Sequence, residues 1–353
     1  PYRRQRQMCI RDRLCPSEIA FRRFLPALRK CEQFQYIGVA TASVNEWFGK
    51  ENKNDEKQKK VILKEQEKAK MFTDNYGGKV FQSYSEMIKD SSIDAIYIPL
   101  PPALHFKWAS EALKNGKHVL VEKPATTNLS NTEELIRLAG KNNLALHENY
   151  MFSFHKQLHE IKKIIDSGEL GIVRLYRIDF GFPMRKAGDF RYVKELGGGA
   201  LLDCGGYTIK YASQLLGGDV RIRCSSLGYN EKIDVDLYGS ATLENEKGEV
   251  AQVSFGMDNS YRCNLDVWGS EGSLFTGRVL TAPVGYEPMC LIKTAEGEKN
   301  IKLSEDDTFA KSLSYFAKCI ANKEIRERTY EDIKIQAMLV AVSYTHLTLP
   351  TIR

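Results

Sequence analysis

Short apolar segments alternate with amphipathic segments between residues 17 and 148, and this alternation constrains the fold more than any other feature of the sequence. Leu104–Asn115 has apolar side chains at helical spacing, and a glycine follows where the helix should end. The runs Ile93–Leu100 and His118–Glu122 have the composition of buried strands. Apolar strands that alternate with helices form a parallel sheet covered on both faces. We therefore predict a doubly wound α/β domain over residues 14–149.

The rhythm changes after residue 150. Turn signals such as Glu246-Lys247-Gly248 and Ser270-Glu271-Gly272 join successive segments of alternating polarity, which is typical of antiparallel strands. We therefore predict a second, α+β domain over residues 150–341 with a large, mostly antiparallel open sheet. Its strand segments are Val173–Gly181, Val220–Gly228, Val235–Leu243, Glu249–Met257, Cys263–Trp268 and Ser273–Phe275.

The two ends of the chain differ from the rest. PYRRQRQMCIRDR and VSYTHLTLPTIR share no periodicity with their neighbours and resemble translated adapter sequence. We therefore predict that residues 1–13 and 342–353 are non-native. The five arginines and one aspartate of the first end, together with Arg353, account for five of the six net positive charges. The remaining chain is close to neutral, which argues against a nucleic-acid partner.

Composition excludes several other classes of protein. No apolar run approaches the roughly 20 residues that span a bilayer, and the start has no signal-peptide core, so we expect a cytoplasmic protein without a membrane partner. The eight cysteines contain no CxxC pair and no accompanying histidine cluster. Free thiols are therefore expected, with no metal site.

The first domain lacks one expected feature. A dinucleotide-binding fold begins with a strand, a GxGxxG loop and a helix. Here the first predicted element is a helix over residues 17–31, and residues 1–13 contain no glycine. The sequence thus predicts that the first strand and the glycine loop are missing. Because that loop holds the pyrophosphate, we expect this chain to bind its cofactor weakly and to be inactive as it stands.

Three segments carry residues suited to chemistry. The first is His118-Val-Leu-Val-Glu122-Lys123-Pro124, in which a strand delivers Lys123 at its carboxyl end, the edge where open α/β sheets bind ligands. A lysine there can polarise a substrate hydroxyl or carbonyl. Taken alone, the segment is more typical of a turn at a strand end with a solvated lysine.

The second segment is Gly197-Gly-Gly-Ala-Leu-Leu-Asp203-Cys-Gly-Gly-Tyr207. Its glycines let the backbone approach a ligand closely. Asp203 and Tyr207 are four residues apart, so a helix would stack a carboxylate beside a phenol as a proton-handling pair. The structural alternative is an aspartate that starts a helix and a tyrosine in the core.

The third segment, Tyr97-Ile-Pro-Leu-Pro101-Pro-Ala-Leu-His105, takes a buried strand through prolines into a helix. This βα loop should lie at the same sheet edge and wall a nicotinamide pocket. His105 is a candidate contact to cofactor or substrate, although a lone histidine near a helix start is more often a structural hydrogen-bonding group.

These segments and His147-Glu-Asn149-Tyr-Met-Phe, in this order, resemble the Gfo/Idh/MocA oxidoreductase family, in its glucose–fructose oxidoreductase and dihydrodiol dehydrogenase-like branch. The resemblance covers residues 17–341, and Val267–Leu274 also looks like a family hairpin. It implies a Rossmann-type domain, NAD or NADP as cofactor, and a C-terminal open sheet that often forms an oligomer face. It also implies hydride transfer to or from a sugar, a polyol or a related alcohol or carbonyl.

The resemblance also implies roles for individual residues. Lys123 matches the catalytic lysine, with Asp203 and Tyr207 beside it, and Tyr207 would donate or accept the hydroxyl proton in contact with substrate. Many members have histidine at the position of Tyr207. Arg191, just before the glycines, is a candidate substrate contact. The predicted cofactor-binding residues are Ser43, Pro101, His105, Glu122, Lys123 and Asn149.

Cofactor choice depends on the strand Tyr36–Ala42, which should end at the adenosine ribose. A carboxylate there would select NAD. The first one is Glu46, so the sequence favours NADP or dual use, although no arginine follows to hold a 2′-phosphate.

The sequence therefore predicts an NAD(P)-dependent dehydrogenase or reductase acting on CH–OH groups of a sugar-like small molecule, and a homo-oligomer through the C-terminal sheet. It requires that Lys123 and Tyr207 converge on one cavity. The alternative is a non-catalytic protein of the same fold that senses a sugar or NAD(P).

Overall fold

The computed structural model describes residues 10–49, 56–186 and 188–345. The chain divides into two compact units. The first comprises the described residues up to Thr126, Ser130–Asn149 and Phe309–Lys334, and the second comprises Thr127–Leu129, Tyr150–Thr308 and the described residues from Ile335. None of the helices in these ranges combines the length and the apolarity that a bilayer crossing requires.

The first unit is built on a six-stranded parallel sheet with the order β3-β2-β1-β4-β5-β6. The order reverses direction between β1 and β4, and such a switch point is where open α/β sheets bind ligands. This sheet confirms the predicted doubly wound class. Its strands are β1 (Ile10–Leu14), β2 (Gly38–Ala40), β3 (Lys79–Phe81), β4 (Ala95–Ile98), β5 (His118–Val121) and β6 (Leu146–Glu148).

Strand β1 corrects the prediction that the first strand is missing. It pairs in parallel with β2 and with β4, in the centre of the sheet. The sequence IRDRL gave no sign of a buried strand, but pairing uses backbone N–H and C=O groups that any residue except proline supplies. The segment after β1 is Cys15-Pro16-Ser17, which contains none of the glycines of a GxGxxG loop.

The helices begin and end where local chemistry favours it. Pro102 stands in the first turn of α5, where a missing N–H costs nothing, and Gly116 follows that helix with a φ of +75°. The helices are α1 (Leu25–Leu28, continuing a π-helical turn over Ala20–Phe24), α2 (Val44–Phe48), α3 (Glu56–Tyr76), α4 (Tyr84–Lys89), α5 (Pro102–Lys114), α6 (Leu129–Lys141), α7 (Lys156–Asp166), α8 (Gly206–Leu216), α9 (Thr308–Ala321) and α10 (Lys323–Thr345).

Residues 309–334 belong with the first unit, which differs from the predicted assignment of 150–341 to one domain. Ile333 lies in the apolar core of the first unit, and the Tyr330 hydroxyl donates to the Leu144 carbonyl at 2.5 Å. These contacts join segments far apart in sequence, so no local pattern reveals them. Of the two ends predicted to be non-native, residues 1–9 and 346–353 lie outside the described residues, whereas 10–13 are in β1 and 342–345 continue α10.

The second unit contains an eight-stranded sheet in the order β14-β13-β12-β11-β7-β10-β9-β8. Only β7 and β10 pair in parallel, which confirms the predicted, mostly antiparallel sheet. The strands are β7 (Val173–Gly181), β8 (Arg221–Asn230), β9 (Ile233–Glu244), β10 (Val250–Gly256), β11 (Arg262–Gly269), β12 (Gly272–Gly277), β13 (Met289–Thr294) and β14 (Gly297–Lys302).

Side chains of this sheet alternate between two faces. Leu237, Val267 and Leu274 are buried in the core of the second unit. Their neighbours on the opposite side form what we call the open face, whose large members Tyr238, Trp268 and Phe275 are 53%, 58% and 44% exposed.

His118, at the start of β5, is a partly buried hydrogen-bond acceptor. The Ala145 N–H donates to its Nδ1 at 2.8 Å. Burial and the charge of Arg326 lower the pKa of His118 to about 4, and Asp94 opposes this change.

Because the folded state lowers this pKa below its ordinary value, the unfolded chain binds the proton more readily between pH 6.5 and 4. As far as His118 is concerned, the free energy of unfolding is therefore at its full value above pH 6.5. It decreases as the pH falls toward 4, by up to about 3 kcal/mol. His118→Asn retains an acceptor near Nδ1 and should flatten this part of the profile in urea unfolding measured from pH 7.5 to 4. The same substitution at exposed His159 is the control. Parallel profiles for wild type and His118→Asn would contradict the assignment.

Candidate active site

The loops after β4 and β5 lie side by side at the carboxyl edge of the parallel sheet. β4 leads into Pro101, and β5 leads into Glu122 and Lys123. The Glu122 N–H donates to the Ile98 carbonyl at 3.0 Å, and the peptide between Lys123 and Pro124 is cis. Three of the predicted cofactor-binding residues, Pro101, Glu122 and Lys123, thus stand at the ligand-binding edge of the sheet.

Glu122 is a partly buried carboxylate at this edge. Its Oε1 accepts from the Tyr97 hydroxyl at 2.5 Å and from Asn149 Nδ2 at 2.7 Å. The Tyr97 ring stacks on Phe24 with 3.9 Å between centroids. Burial raises the pKa of Glu122, and the donors Tyr97 and Asn149 and the charge of Lys123 partly offset this effect. The site therefore holds a desolvated acid next to the predicted catalytic lysine.

His105 differs from its prediction as a cofactor contact. Its side chain is fully buried, and both ring nitrogens lie 2.7 Å from backbone carbonyl oxygens, Nδ1 from Pro124 and Nε2 from Leu100. A neutral imidazole donates only one hydrogen, so two such bonds favour the charged ring. Burial outweighs them and lowers the pKa of His105 to about 4, with the charge of Lys123 adding to the effect. The ring is therefore neutral near pH 7, so it donates to only one of these two carbonyl oxygens at a time.

Two further buried residues of the first unit, Ser312 and His147, were not among the predicted site residues. Ser312 Oγ donates to Asn149 Oδ1 at 2.8 Å, and His147 Nε2 lies 3.1 Å from the same Oγ. Ser312 lies on α9 and follows Asn149 by 163 residues in the sequence, so no local motif connects the two residues.

Ser43, predicted to bind the cofactor, caps α2 after strand β2. Its Oγ accepts from the Glu46 N–H at 3.3 Å, and Glu46 Oε2 accepts from the Ser43 N–H at 2.9 Å. Glu46 also accepts from the Tyr84 N–H and from the N–H and hydroxyl of Ser85. Although burial opposes the change, these donors lower the pKa of Glu46. The first carboxylate after β2 is thus committed to backbone capping.

In the second unit, Arg191 is held between two carboxylates. Its Nε donates to Asp203 Oδ2 at 2.7 Å and its Nη1 donates to Asp189 Oδ1 at 3.1 Å. Burial opposes the charge, but the two carboxylates raise the pKa of Arg191 above its ordinary value. The predicted substrate contact is therefore first of all the partner of the predicted catalytic Asp203.

Tyr207 lies in an aromatic setting in the second unit. Its ring centroid is 5.3 Å from those of Tyr150 and Phe180 and 5.6 Å from that of Phe152, and its hydroxyl donates to Met151 Sδ at 3.9 Å. Residues 201–205 form a π-helical turn just before α8. Because a π-helical turn is wider than an α-helical one, Asp203 and Tyr207 do not stack as residues four apart do in an α-helix. Single π-helical turns are frequent at functional sites.

The glycines around Asp203 serve close packing within the protein, where the sequence suggested close approach of a ligand. A Cβ at Gly199 would lie 2.4 Å from Asp236 Oδ1, and one at Gly206 would lie 2.2 Å from the Tyr150 hydroxyl oxygen. Asp236 in turn accepts from the Leu201 N–H at 2.6 Å. It thereby caps the helical segment that carries Asp203 and Tyr207.

The residues of the first unit fit a dinucleotide. The switch point of the sheet supplies the crevice, and Cys15, directly after β1, has a φ of +83°. This is the left-handed conformation that glycine takes most readily in such a tight turn. Among the described residues, no group of three or more histidine, cysteine, aspartate or glutamate side chains is placed to hold a metal ion.

Comparison with known proteins agrees with this geometry. Residues 34–150 match the family model described as the oxidoreductase family with NAD-binding Rossmann fold, and residues 158–275 match the GFO/IDH/MocA C-terminal domain. The chain is 35% identical over 324 residues to dTDP-3,4-didehydro-2,6-dideoxy-alpha-D-glucose 3-reductase of Actinomadura kijaniata, covering 92% of this chain and 91% of that protein. This chain belongs to the Gfo/Idh/MocA oxidoreductase family.

Other relatives of this chain are also oxidoreductases. Trans-1,2-dihydrobenzene-1,2-diol dehydrogenase of Xenopus tropicalis is 34% identical over 185 residues, which is 52% of this chain and 56% of that protein. The solved 3-ketoreductase from Actinomadura kijaniata, in complex with NADP and TDP-benzene, has a TM-score of 0.87 and 34% identity, covering 96% of this chain and 98% of that one. The chain is accordingly an NAD(P)-dependent oxidoreductase of sugar-related alcohols and carbonyls.

Further structures of the Actinomadura kijaniata 3-ketoreductase carry single substitutions. In two of them one lysine is replaced by alanine or by glutamate, and in another one tyrosine is replaced by phenylalanine. The interval between that lysine and that tyrosine equals the interval between Lys123 and Tyr207 in this chain.

The packing at Gly206 predicts a clear difference between two glycine-to-alanine substitutions. Gly206→Ala would push a methyl group against buried Tyr150. The free energy of unfolding measured in urea should therefore decrease by about 1–3 kcal/mol. Gly140, exposed on α6, has only Tyr330 Cε2 near its added Cβ, at 3.9 Å. Gly140→Ala should therefore stabilise by about 0.5–1 kcal/mol. Equal effects of the two substitutions would refute the close approach at Gly206.

Proposed function

We propose that this protein is an NADP-dependent reductase of a keto-sugar carried on a nucleoside diphosphate, with Lys123 and Tyr207 handling the hydroxyl proton. The observation that carries the proposal is their shared interval with the lysine and tyrosine substituted in the 3-ketoreductase. The surroundings support it: Lys123 follows a buried strand at the ligand edge, and Tyr207 is enclosed by aromatic rings.

Each predicted site residue except His105 has a place in this proposal. Ser43 would face the adenosine ribose, and Pro101, Glu122, Lys123 and Asn149 would hold the nicotinamide end. The bound dinucleotide supplies the hydride. Asp203 is a carboxylate beside the proton donor, and Arg191 orients it through the 2.7 Å bond from Nε. The substrate contact of Arg191 and the convergence of Lys123 with Tyr207 stay predictions.

The preference for NADP is supported by Glu46. A carboxylate that selects NAD must accept from the ribose hydroxyls. Both oxygens of Glu46 already accept from Ser43, Tyr84 and Ser85, so this carboxylate is committed elsewhere.

Turnover of a dTDP-linked 3-keto-sugar at high NADPH concentration tests the proposal, and it also tests the expectation that this chain, without the glycine loop, binds its cofactor weakly and is inactive. Lys123→Ala and Tyr207→Phe should each lower kcat by about a hundredfold or more, because a positioned proton donor typically contributes that much. The matched controls are Lys107→Ala, at an exposed lysine on α5, and Tyr211→Phe, which removes a buried hydroxyl from the same helix as Tyr207. Both controls should keep wild-type turnover.

Two results would be decisive against the proposal. Wild-type turnover in both Lys123→Ala and Tyr207→Phe would remove their catalytic roles. Binding of sugar and NADPH without turnover by the wild-type chain would favour the alternative, a sensing protein of the same fold. A cytoplasmic location stays a prediction.

We also propose that the open face joins two copies of this chain, because its exposed aromatic side chains form an apolar surface. Trp268→Glu should lower the sedimentation coefficient to that of a monomer. Leu63→Glu, at a leucine 56% exposed on α3, should leave it unchanged. A monomeric wild-type chain at micromolar concentration would refute the assembly.

A further inference from the structure

A continuous chain of hydrogen bonds runs through the first unit from His147 to the carboxylate at the sheet edge. His147 Nε2 lies 3.1 Å from Ser312 Oγ, and that hydroxyl donates to Asn149 Oδ1 at 2.8 Å. Asn149 Nδ2 donates to Glu122 Oε1 at 2.7 Å, and the Tyr97 hydroxyl donates to the same oxygen. We call these five residues the buried polar chain.

The donor and the acceptor of each bond in the buried polar chain can be assigned by starting from the carboxylate of Glu122. An ionised Glu122 only accepts, so the amide nitrogen of Asn149 must face it. The amide oxygen of Asn149 then needs a donor, and Ser312 supplies its single proton. The hydroxyl oxygen of Ser312 is left to accept from His147, which makes Nε2 of that ring a donor.

We propose that Ser312 is a positioning residue of the reaction, because it fixes the amide of Asn149 and thereby the carboxylate next to Lys123. This inference rests on the proposed function. Asn149 and Ser312 are each 1% exposed and His147 is 4% exposed, so water does not replace a lost partner. Without the hydroxyl, the oxygen of Asn149 loses a donor and its amide is free to turn away from Glu122.

The groups that determine the charge of Glu122 come from three segments of the chain. Tyr97 from β4 and Asn149 after β6 donate to it, and the ammonium of Lys123 adjoins it in the chain. Burial raises the pKa of Glu122 against these three groups. Loss of the Asn149 donor should therefore raise this pKa further.

Ser312→Ala tests the inference in the chain without cofactor. The midpoint of Glu122, followed by carbon-13 NMR of its carboxyl and assigned with Glu122→Gln, should rise by about 0.5–1 in pH. Ser314→Ala is the matched control, since Ser314 is on the same helix and its hydroxyl donates to the Ala310 carbonyl one turn away. It should leave the midpoint unchanged. Ser312→Cys, similar in size with a weak donor, should give an intermediate value.

The active enzyme gives the second measurement. In Ser312→Ala, kcat should fall about tenfold and its pH profile should move upward with the Glu122 midpoint, while KM for the sugar changes less than twofold. An unchanged Glu122 midpoint in folded Ser312→Ala or Ser312→Cys would overturn the buried polar chain. A shifted midpoint with unchanged kcat would overturn the positioning role. A shifted midpoint in a chain that turns over no keto-sugar would support the polar chain and reject the proposed function alone.

Discussion

The partly buried carboxylate of Glu122 is the constraint on which the ligand edge of the first unit depends. A desolvated charge is costly unless donors surround it, and here they come from Tyr97 on β4 and Asn149 after β6. Satisfying Glu122 therefore holds the ends of neighbouring strands in register with the turn that carries Lys123. The buried ring of His105 also packs between the same loops and donates to the carbonyl oxygen of either Pro124 or Leu100.

In the second unit, buried charged groups are stabilised by ion pairs. Arg191 joins Asp189 and Asp203, so three charges share one mostly buried cluster. Asp236 caps the helical segment at Leu201, and the glycines allow strands and rings to approach its backbone. Both proposed proton-handling residues therefore follow segments whose positions depend on buried carboxylates.

Periodicity in the sequence predicted both sheets, because strand and helix spacing record which faces are buried. It missed β1, whose place depends on backbone pairing with β2 and β4. It also missed Ser312, since contact between α9 and Asn149 leaves no trace in local pattern. The π-helical turn before α8 and the enclosure of His105 likewise depend on tertiary packing, so residue types alone placed these residues only at the right loops.

The commitment of Glu46 has a consequence for redesign. Its oxygens accept from Ser43, Tyr84 and both donors of Ser85, which ties the starts of α2 and α4 to one side chain. An engineer who wants this scaffold to prefer the unphosphorylated nicotinamide cannot redirect that acid without releasing both helix starts. The new acid has to be introduced elsewhere, at the end of β2, where Thr41 and Ala42 now stand.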